Sequence, residues 1–493
     1  MDEYPVLVVG AGLAGLSAAM FLGVHGVRAL VVERHATTSL HPKARGQFPH
    51  TMEALRVAGV DRRVAEAAPA DPGFHIVVAE SVTGRVFNDV VVDTAPDFSA
   101  LSPAGWANAS QERVEPILAD RARELGAELR FSTELVSFTQ DDDGVTALLS
   151  DGTTVRARYL VAADGHRSPV REALGIGTHG RGDLGRSSGV MFDADLGRTG
   201  FGLYYLQNPD LPGGAGVVVG TDTPHRWALS VGYDPEITDW VGLIRTATGR
   251  PDLEPVLVGG EVTTGHTSVR VADRFSDGRV HLIGDAARVM PPTGAFGGNT
   301  AILDGHSLAW KLALVVRGEA GPGLLDSHDV ERRPYSELLV EQQYRAFVER
   351  MNPGLADDTL PDPVEPPSAL FFGYRQLGAI VAEPDDDGAL LENPEQPTGR
   401  PGSRAPHVPL DDGSSTVDLF GREFVVLTGS TAWATAAEEL GLSAHRLDGR
   451  TKPYGVTDEG AVLVRPDGFV AWRSVGEGAP EDLARALRIV LAR

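Results

Sequence analysis

The sequence contains no cysteine. This absence excludes disulfide bonds, thiolate catalysis, and zinc or iron–sulfur sites built on cysteine. Histidines at metal-ligand spacing are missing as well, so we expect no bound metal. Any redox chemistry in this chain must therefore be carried by an organic cofactor.

Long apolar runs and excess positive charge are also lacking. No stretch approaches the ~18 apolar residues of a membrane-spanning helix, and the acidic start of the chain does not resemble a secretory signal. Asp and Glu number 68 against 44 Lys and Arg, for a net charge of -24, which disfavours binding to nucleic-acid phosphates. The composition predicts a cytoplasmic protein with neither a nucleic-acid nor a membrane partner.

The N-terminal segment has the pattern of a dinucleotide-binding βαβ unit. The apolar run Tyr4–Val9 leads into the glycine motif Gly10–Gly15, a helical pattern, a second buried strand at 27–32, and then Glu33. The glycines permit a tight turn and close approach to a pyrophosphate, whose charge the helix N-terminus attracts. Glu33 can accept hydrogen bonds from a ribose. The motif alone does not separate FAD from NAD.

Two later motifs begin at predicted strand ends. The first is Ala162–Arg171, and the second is Gly284–Thr300, which runs into a helix. Asp285, at the end of the strand that leads into the second motif, can accept a hydrogen bond from a ribityl hydroxyl. The glycine-rich start of the following helix can stabilise negative charge on a reduced flavin. Asp164 and Asp285 could instead serve as helix caps.

With these motifs, the chain resembles the single-component class A flavoprotein aromatic hydroxylases. Within that family it is most similar to the aromatic polyketide hydroxylase and phenol 2-monooxygenase-like branch. The resemblance covers nearly the whole chain. Further matching residues are His41–Gly46, Gln111–Glu115, Asp304, Trp310, Lys311 and Leu312 and, in a thioredoxin-like tail, Arg404–His407 and Leu463–Arg473.

The resemblance implies FAD as cofactor, NADPH or NADH as a transient co-substrate, and O2. Glu33 would bind the adenosine ribose, and Arg45 would lie near the flavin as a candidate catalytic residue, although a solvated surface arginine is the plain alternative. The implied cofactor-binding residues are Gly10, Gly12, Leu13, Ala14, Gly15, Glu33, Arg34, Arg45, Gln111, Arg113, Leu135, Asp164, Gly284, Asp285, Pro292, Gly294, Ala295, Gly297, Gly298 and Asn299.

The sequence departs from the family pattern at a few positions. Arg288 stands where the family commonly has His, Ala295 and Ala301 where it has Gly, and Gly305 where it often has Ala. We expect FAD binding to survive these changes, because the loop at Ala295 keeps its backbone donors. These substitutions leave the mobility and exact pose of the flavin open.

The expected fold is α/β, with a Rossmann-like FAD-binding domain, an antiparallel-sheet substrate domain and a thioredoxin-like C-terminal domain. The predicted boundaries are 1–180 with 271–352, then 181–270, a linker with a helical segment at 353–410, and 411–493. In detail we predict a helix over Glu331–Met351, with a start after Pro334 as the alternative, and a strand at Thr416–Leu419. Without cysteine the tail cannot exchange disulfides, so its expected role is packing or support of a homodimer.

The implied activity is hydroxylation of a small aromatic, phenolic or polyketide-derived intermediate through a flavin C4a-hydroperoxide. Two alternatives stay open: an oxidase or reductase that inserts no oxygen, and a non-catalytic flavoprotein that sequesters an intermediate. Only one dinucleotide motif is convincing, so we expect NAD(P)H to bind transiently and then dissociate. The candidate substrate residues, on the predicted sheet, are Tyr204, Tyr205, His225 and Trp227.

Overall fold

The computed structural model describes residues 2–39, 44–69, 74–92, 97–197 and 201–493. Residues His41, Pro42 and Lys43, part of a segment on which the family resemblance rests, lie outside these ranges. Among the described helices, none combines the length and apolar character needed to cross a membrane. Within the same ranges, no three or more acidic or histidine side chains are grouped as metal ligands would be.

The N-terminal βαβ pattern folds as predicted and lies at the centre of an eight-stranded sheet. Five of its strands are parallel, which brings their carboxyl ends to one edge. In spatial order these are Val280–Leu282, Thr154–Ala162, Asp2–Val9, Ala29–Val32 and Glu128–Arg130. The remaining strands are Leu135–Gln140, Val145–Leu149 and Ser276–Asp277.

Helices cover this sheet and bury its apolar residues. Leu13–Val24 packs against Phe296–Val316, and a side chain at Gly305 would place its Cβ 2.6 Å from the Ala18 nitrogen. Glycine at 305 therefore lets the two helices approach closely. The other helices of this region are Pro49–Val57, Asp61–Ala67, Gln111–Glu124, Pro169–Ala173 and Ser327–Arg350.

A second eight-stranded sheet stands beside the first. As predicted, the strands between 178 and 272 are antiparallel to one another. The sheet also contains the hairpin Phe74–Ala79 and Val86–Val92, which the sequence-based boundaries assigned to the FAD-binding segment. Its other strands are Thr178–Asp193, Phe201–Gln207, Ala215–Gly220, Arg226–Gly232, Val256–Ala272 and Arg288–Val289, and the helix Trp240–Thr248 covers one face.

The C-terminal region has a four-stranded sheet in the spatial order Ser443–Arg446, Val425–Thr428, Ala461–Val464 and Val470–Ser474. The first two strands are parallel and the others antiparallel. Helices Thr431–Glu439 and Pro480–Val490 flank the sheet, while Ala369–Phe372 is a short helix of the linker.

Two detailed predictions were wrong. Thr416–Leu419 is a 3-10 helix rather than a strand, because Ser415 and Asp418 form a capping box that satisfies its first backbone amides. The long helix begins at Ser327 rather than after Pro334, and Pro334 lies inside it. Packing of its apolar side chains compensates for the backbone hydrogen bond that proline removes.

Candidate active site

The three motif regions converge on one cavity of about 2410 Å³. Drug-sized ligands usually occupy pockets of up to roughly 1,000 Å³, so this cavity can hold more than one such molecule. It extends from the carboxyl edge of the parallel sheet to the face of the second sheet. Residues from both sheets and from the linker line it.

The N-terminal glycine turn has the geometry needed to hold a pyrophosphate. Gly10 has φ +103°, and a Cβ there would lie 2.2 Å from the Ala163 carbonyl oxygen. A Cβ on Gly15 would lie 1.9 Å from the Gly10 carbonyl oxygen. Gly12 lines the cavity as the residue preceding the helix Leu13–Val24. The helix therefore directs its free amide groups at the cavity wall.

Glu33 lies at the same end of the cavity. Its carboxylate accepts hydrogen bonds from the backbone amides of Ala11 at 2.8 Å and His35 at 2.9 Å. These bonds fix the side chain, and the remaining acceptor capacity of its two oxygens can serve a ribose. Position and chemistry fit the adenosine half of a dinucleotide.

The third motif supplies another part of the cavity wall. Asp285 is exposed to the cavity within the 3-10 turn Gly284–Ala286. Ala295 precedes the helix Phe296–Val316 in the left-handed conformation, with φ 61°, and Gly298 lines the cavity within the first turn. A helix N-terminus here can stabilise negative charge on a reduced isoalloxazine. The residues present thus fit FAD.

Asp164 is held mainly as a capping residue. Its carboxylate accepts from the Ser168 hydroxyl at 2.6 Å and from the Val170 amide at 3.0 Å, at the start of helix Pro169–Ala173. Burial raises the pKa of this carboxyl. Asp164 also lines the cavity, so the structure favours the capping alternative without removing it from the site.

Only 9% of the Arg45 side chain is exposed, which excludes the solvated-surface alternative. Burial lowers its pKa to about 10, so it stays charged at neutral pH. It lines the cavity and pairs with Asp222, which lies in the turn between two strands of the second sheet. Asp222 also accepts from Ser110 at 2.6 Å and pairs with Arg113 at 3.0 Å. This carboxylate joins the sheet to the FAD-binding region.

Most of the predicted cofactor residues line the cavity. Those that do are Gly10, Gly12, Leu13, Ala14, Glu33, Arg34, Arg45, Gln111, Leu135, Asp164, Asp285, Pro292, Gly294, Ala295, Gly297 and Gly298. The four that do not are Gly15, Arg113, Gly284 and Asn299.

Of these four, Asn299 supports the wall from behind. Asn299 donates to the carbonyls of Gly46 at 2.9 Å and Ala295 at 2.8 Å, and accepts from the Phe48 amide at 2.9 Å. These bonds use nearly all of its hydrogen-bonding capacity. Asn299 therefore fixes the backbone at the cavity wall instead of facing a ligand. Its sequence motif could not reveal this orientation.

Of the substrate candidates, only Tyr205 lines the cavity. Neighbouring strand residues point to opposite faces, so Tyr204 packs into the core under Trp240–Thr248. Trp227 lies in the same core and donates to the Ala194 carbonyl at 3.2 Å. His225 lies in a turn with 63% of its side chain exposed. For these reasons Tyr204, His225 and Trp227 do not line the cavity.

Sequence reasoning missed an aromatic wall around the same cavity. Its rings pack edge-to-face, stacked or tilted, with centroids 4.7–5.8 Å apart. The members of this aromatic wall are Phe48, Phe98, Trp106, Phe296 and Phe371. They come from distant segments, so no periodicity connects them. Large rings in otherwise loop-like sequence were the only available signal.

Arg350, at the end of a long helix, is a second missed residue. It lines the cavity, donates to the Thr293 carbonyl, and its guanidinium carbon lies 5.9 Å from the Tyr205 ring centroid. Burial raises the pKa of Tyr205, although Arg350 acts in the opposite direction. A positive charge is thus held beside the sheet face of the cavity.

The departures from the family pattern have structural counterparts. Arg288 is buried and donates to Asp304 at 2.5 Å, and Arg332 donates to the same carboxylate at 2.8 Å. Burial alone would raise the pKa of Asp304, but the two guanidinium groups lower it below its usual value. Asp304 also accepts from the Gly284 amide at 2.9 Å. The cluster therefore supports the turn that carries Asp285.

Comparison with known proteins agrees with this architecture. The FAD binding domain model matches residues 3–343, and the aromatic-ring hydroxylase C-terminal model matches residues 398–493. Aklavinone 12-hydroxylase of Streptomyces purpurascens is 45% identical, with 100% of this chain and 98% of that protein covered. A 4-methyl-5-nitrocatechol 5-monooxygenase from Burkholderia is 41% identical over the same shares of the two chains.

Solved structures show the same fold. A ternary complex of aklavinone-11 hydroxylase with FAD and aklavinone has a TM-score of 0.93, with 43% identity and complete coverage of both chains. The rebeccamycin biosynthetic enzyme RebC with reduced flavin has a TM-score of 0.85 and 31% identity, covering 100% of this chain and 99% of that one. These likenesses confirm the predicted fold class and the FAD cofactor. The chain therefore belongs to the FAD-dependent aromatic-ring hydroxylases, and it is a class A flavoprotein monooxygenase.

Proposed function

We propose that this enzyme hydroxylates a polycyclic phenolic intermediate of polyketide origin, using NADPH or NADH as electron donor and O2 as oxygen source. The observation that carries the proposal is the continuity of one cavity. It joins the dinucleotide-binding motifs at one end to the aromatic wall and the sheet face at the other. A flat, multi-ring molecule fits such an apolar compartment.

The chain's own residues would hold the cofactor at the motif end. Glu33 would accept from the adenosine ribose, the helix start after Gly12 would face the pyrophosphate, and Asp285 would accept from the ribityl chain. When bound and reduced, FAD supplies the activation of O2 for transfer of one oxygen atom. The amides that follow Ala295 would face the ring system where negative charge develops.

At the other end, the aromatic wall would bind and orient the substrate and exclude water. Tyr205 and Arg350 are polar groups on the sheet side. A guanidinium beside a phenol favours its ionised form, which makes the ring carbon more electron-rich. We therefore assign Arg350 the role of stabilising a phenolate.

Similarity to aklavinone 12-hydroxylase and to the FAD- and aklavinone-bound structure supports this substrate class. Both NADH and NADPH enter the test. The single βαβ glycine motif favours transient binding of either nucleotide.

The test follows NAD(P)H oxidation by FAD-loaded enzyme with a tetracyclic hydroxyanthraquinone under 18O2, and H2O2 is quantified in the same reaction. We expect consumption of NAD(P)H together with a product containing one 18O atom. An oxidised product without 18O would indicate oxidation without oxygen insertion. H2O2 as the sole product with every phenol tried would overturn hydroxylation.

A non-catalytic flavoprotein would bind the anthraquinone but show no NAD(P)H-driven loss of the oxidised-flavin absorbance. Anaerobic stopped-flow reduction, with and without the aromatic ligand, measures this directly. The matched control is protein stripped of FAD, which should consume no NAD(P)H.

A further inference from the structure

The cysteine-free C-terminal domain does not touch the cavity. Within the described ranges, every residue that lines the cavity lies at or before Glu395. Phe469 of this domain belongs to the same apolar cluster as Phe48 and Phe296 of the aromatic wall. A charged side chain of the C-terminal region also reaches toward this wall. It is Arg404, in the segment Arg404–His407, which the predicted boundaries assigned to the linker but which lies within residues 398–493 matched by the C-terminal family model.

That segment is fixed to the C-terminal domain. The Ala405 amide donates to the Gly468 carbonyl at 2.8 Å, and the Tyr454 hydroxyl donates to the Pro406 carbonyl at 2.8 Å. Arg404 itself forms a backbone bridge with Phe469. The position of the Arg404 backbone is therefore set by the C-terminal sheet.

The guanidinium projects into the FAD-binding region. It pairs with Glu53 and donates to the Leu101 carbonyl at 3.1 Å. The Ser102 hydroxyl donates to the same carboxylate at 2.6 Å. The side chains of Arg404 and Glu53 are only 8% and 7% exposed. Charge-assisted hydrogen bonds with so little exposure are strong and directional.

Both partners of Arg404 belong to elements that carry the aromatic wall. Glu53 lies in the helix Pro49–Val57, which directly follows Phe48. Leu101 and Ser102 lie between Phe98 and Trp106, whose rings stack with centroids 5.8 Å apart.

The guanidinium also reaches this wall through a neighbouring ring. Its carbon lies 5.1 Å from the Phe372 ring centroid, and Phe372 packs edge-to-face on Phe98 at 5.3 Å. Arg404 thus contacts three parts of the structure that hold the same wall: the helix after Phe48, the segment before Trp106, and Phe372.

We propose that Arg404 is a positioning residue through which the C-terminal domain holds the aromatic wall in place for the substrate. The proposal rests on the proposed function for its kinetic consequence but not for its structural one. Attachment of the C-terminal domain does not itself need Arg404, because Arg465 forms a fully buried ion pair with Glu331 elsewhere in the same interface.

The experiment compares FAD-loaded wild type with Arg404→Met, Ser102→Ala and the control Arg450→Met. Arg450 pairs with Asp411 on the surface of the same domain. Hydrogen exchange by mass spectrometry follows peptides covering 97–106 and, as a reference, the C-terminal strand 425–428. Steady-state kinetics then measures KM, kcat and the fraction of NAD(P)H coupled to product.

In Arg404→Met we expect exchange in 97–106 to rise about tenfold, as local opening becomes easier. KM for the aromatic substrate should rise and coupling should fall by up to about tenfold, because the ring is misplaced. FAD retention and the rate of flavin reduction should not change. Ser102→Ala should give a smaller change of the same kind, with the C-terminal contacts intact, and Arg450→Met should give none.

Unchanged exchange in 97–106 would overturn the proposal. So would an equal rise in 425–428, which would show general loosening of the domain. If no phenol is hydroxylated even by wild type, the proposed function fails while the exchange result still decides the role of Arg404. If Arg404→Met does not fold, Arg404→Lys, which keeps the charge but loses the fork geometry toward Glu53, carries the same comparison.

Discussion

Replacing Arg465 with methionine should weaken the whole enzyme, because this arginine completes a buried charge cluster between domains. It pairs with Glu331 at 2.6 Å and Asp467 at 2.5 Å, and Lys311 pairs with Glu331 at 2.5 Å. All four side chains are 0–1% exposed. The cluster holds two positive and two negative charges and is therefore neutral.

The magnitude follows from what the substitution leaves behind. Without Arg465, two buried carboxylates share one lysine, and breaking such a buried pair costs about 3–5 kcal/mol. Unfolding entropy of about 2.1 cal/mol/K per residue gives about 1 kcal/mol/K for 493 residues. The expected fall in Tm is therefore about 3–5 °C for cooperative unfolding.

Differential scanning calorimetry of the FAD-free proteins measures this shift. Arg450→Met is the matched control, and it should melt like wild type because Arg450 and Asp411 are 38% and 88% exposed. Arg465→Lys should lie between the two, since it keeps the charge but loses the bidentate geometry. An Arg465→Met protein that melts with the control would refute the reasoning.

Three further predictions concern the cavity and the core. Tyr205→Phe should raise KM for a phenolic substrate about fivefold, the effect of losing roughly 1 kcal/mol of hydrogen bonding. Tyr204→Phe, on the opposite face of the strand, should leave KM unchanged. Equal effects of the two substitutions in steady-state kinetics would contradict the strand orientation. Ala295→Gly should stabilise the protein by about 0.5–1 kcal/mol in urea unfolding, because an alanine at φ 61° carries left-handed strain that exceeds the entropy glycine adds to the unfolded chain. Burial lowers the pKa of His281 to about 3 and that of His328 to about 4. Below pH 6.5 the unfolded state therefore binds more protons than the folded state. The free energy of unfolding should fall as the pH drops, by about 2 kcal/mol per histidine at pH 5. His281→Gln should flatten the dependence of Tm on pH between 7 and 5, and an unchanged slope would argue against this cause.

The motifs around FAD could be predicted because they are local. A tight turn at Gly10 and a carboxylate at the end of the next strand are readable from spacing alone, and the structure places both at the cavity. The substrate end could not be read in the same way. Strands with apolar residues on both faces have no alternation that separates Tyr204 from Tyr205.

Long-range assembly explains the other differences. The hairpin Phe74–Val92 joins the second sheet although the polypeptide between it and the strand Phe201–Gln207 belongs mostly to another region. Likewise, the match at Asp304 and Lys311 carried the family resemblance without showing what these residues do. Only the fold revealed that they form buried ion pairs behind the site.

The sequence by itself determined the βαβ unit, the nucleotide-facing motifs and, through the missing cysteines, the need for an organic redox cofactor, because each follows from the chemistry of neighbouring residues. Tertiary structure alone decided which ring faces the cavity, which distant rings form its wall, and how Arg404 connects that wall to the C-terminal domain. Those outcomes depend on contacts between segments hundreds of residues apart, whose geometry is set by the packing of the complete core.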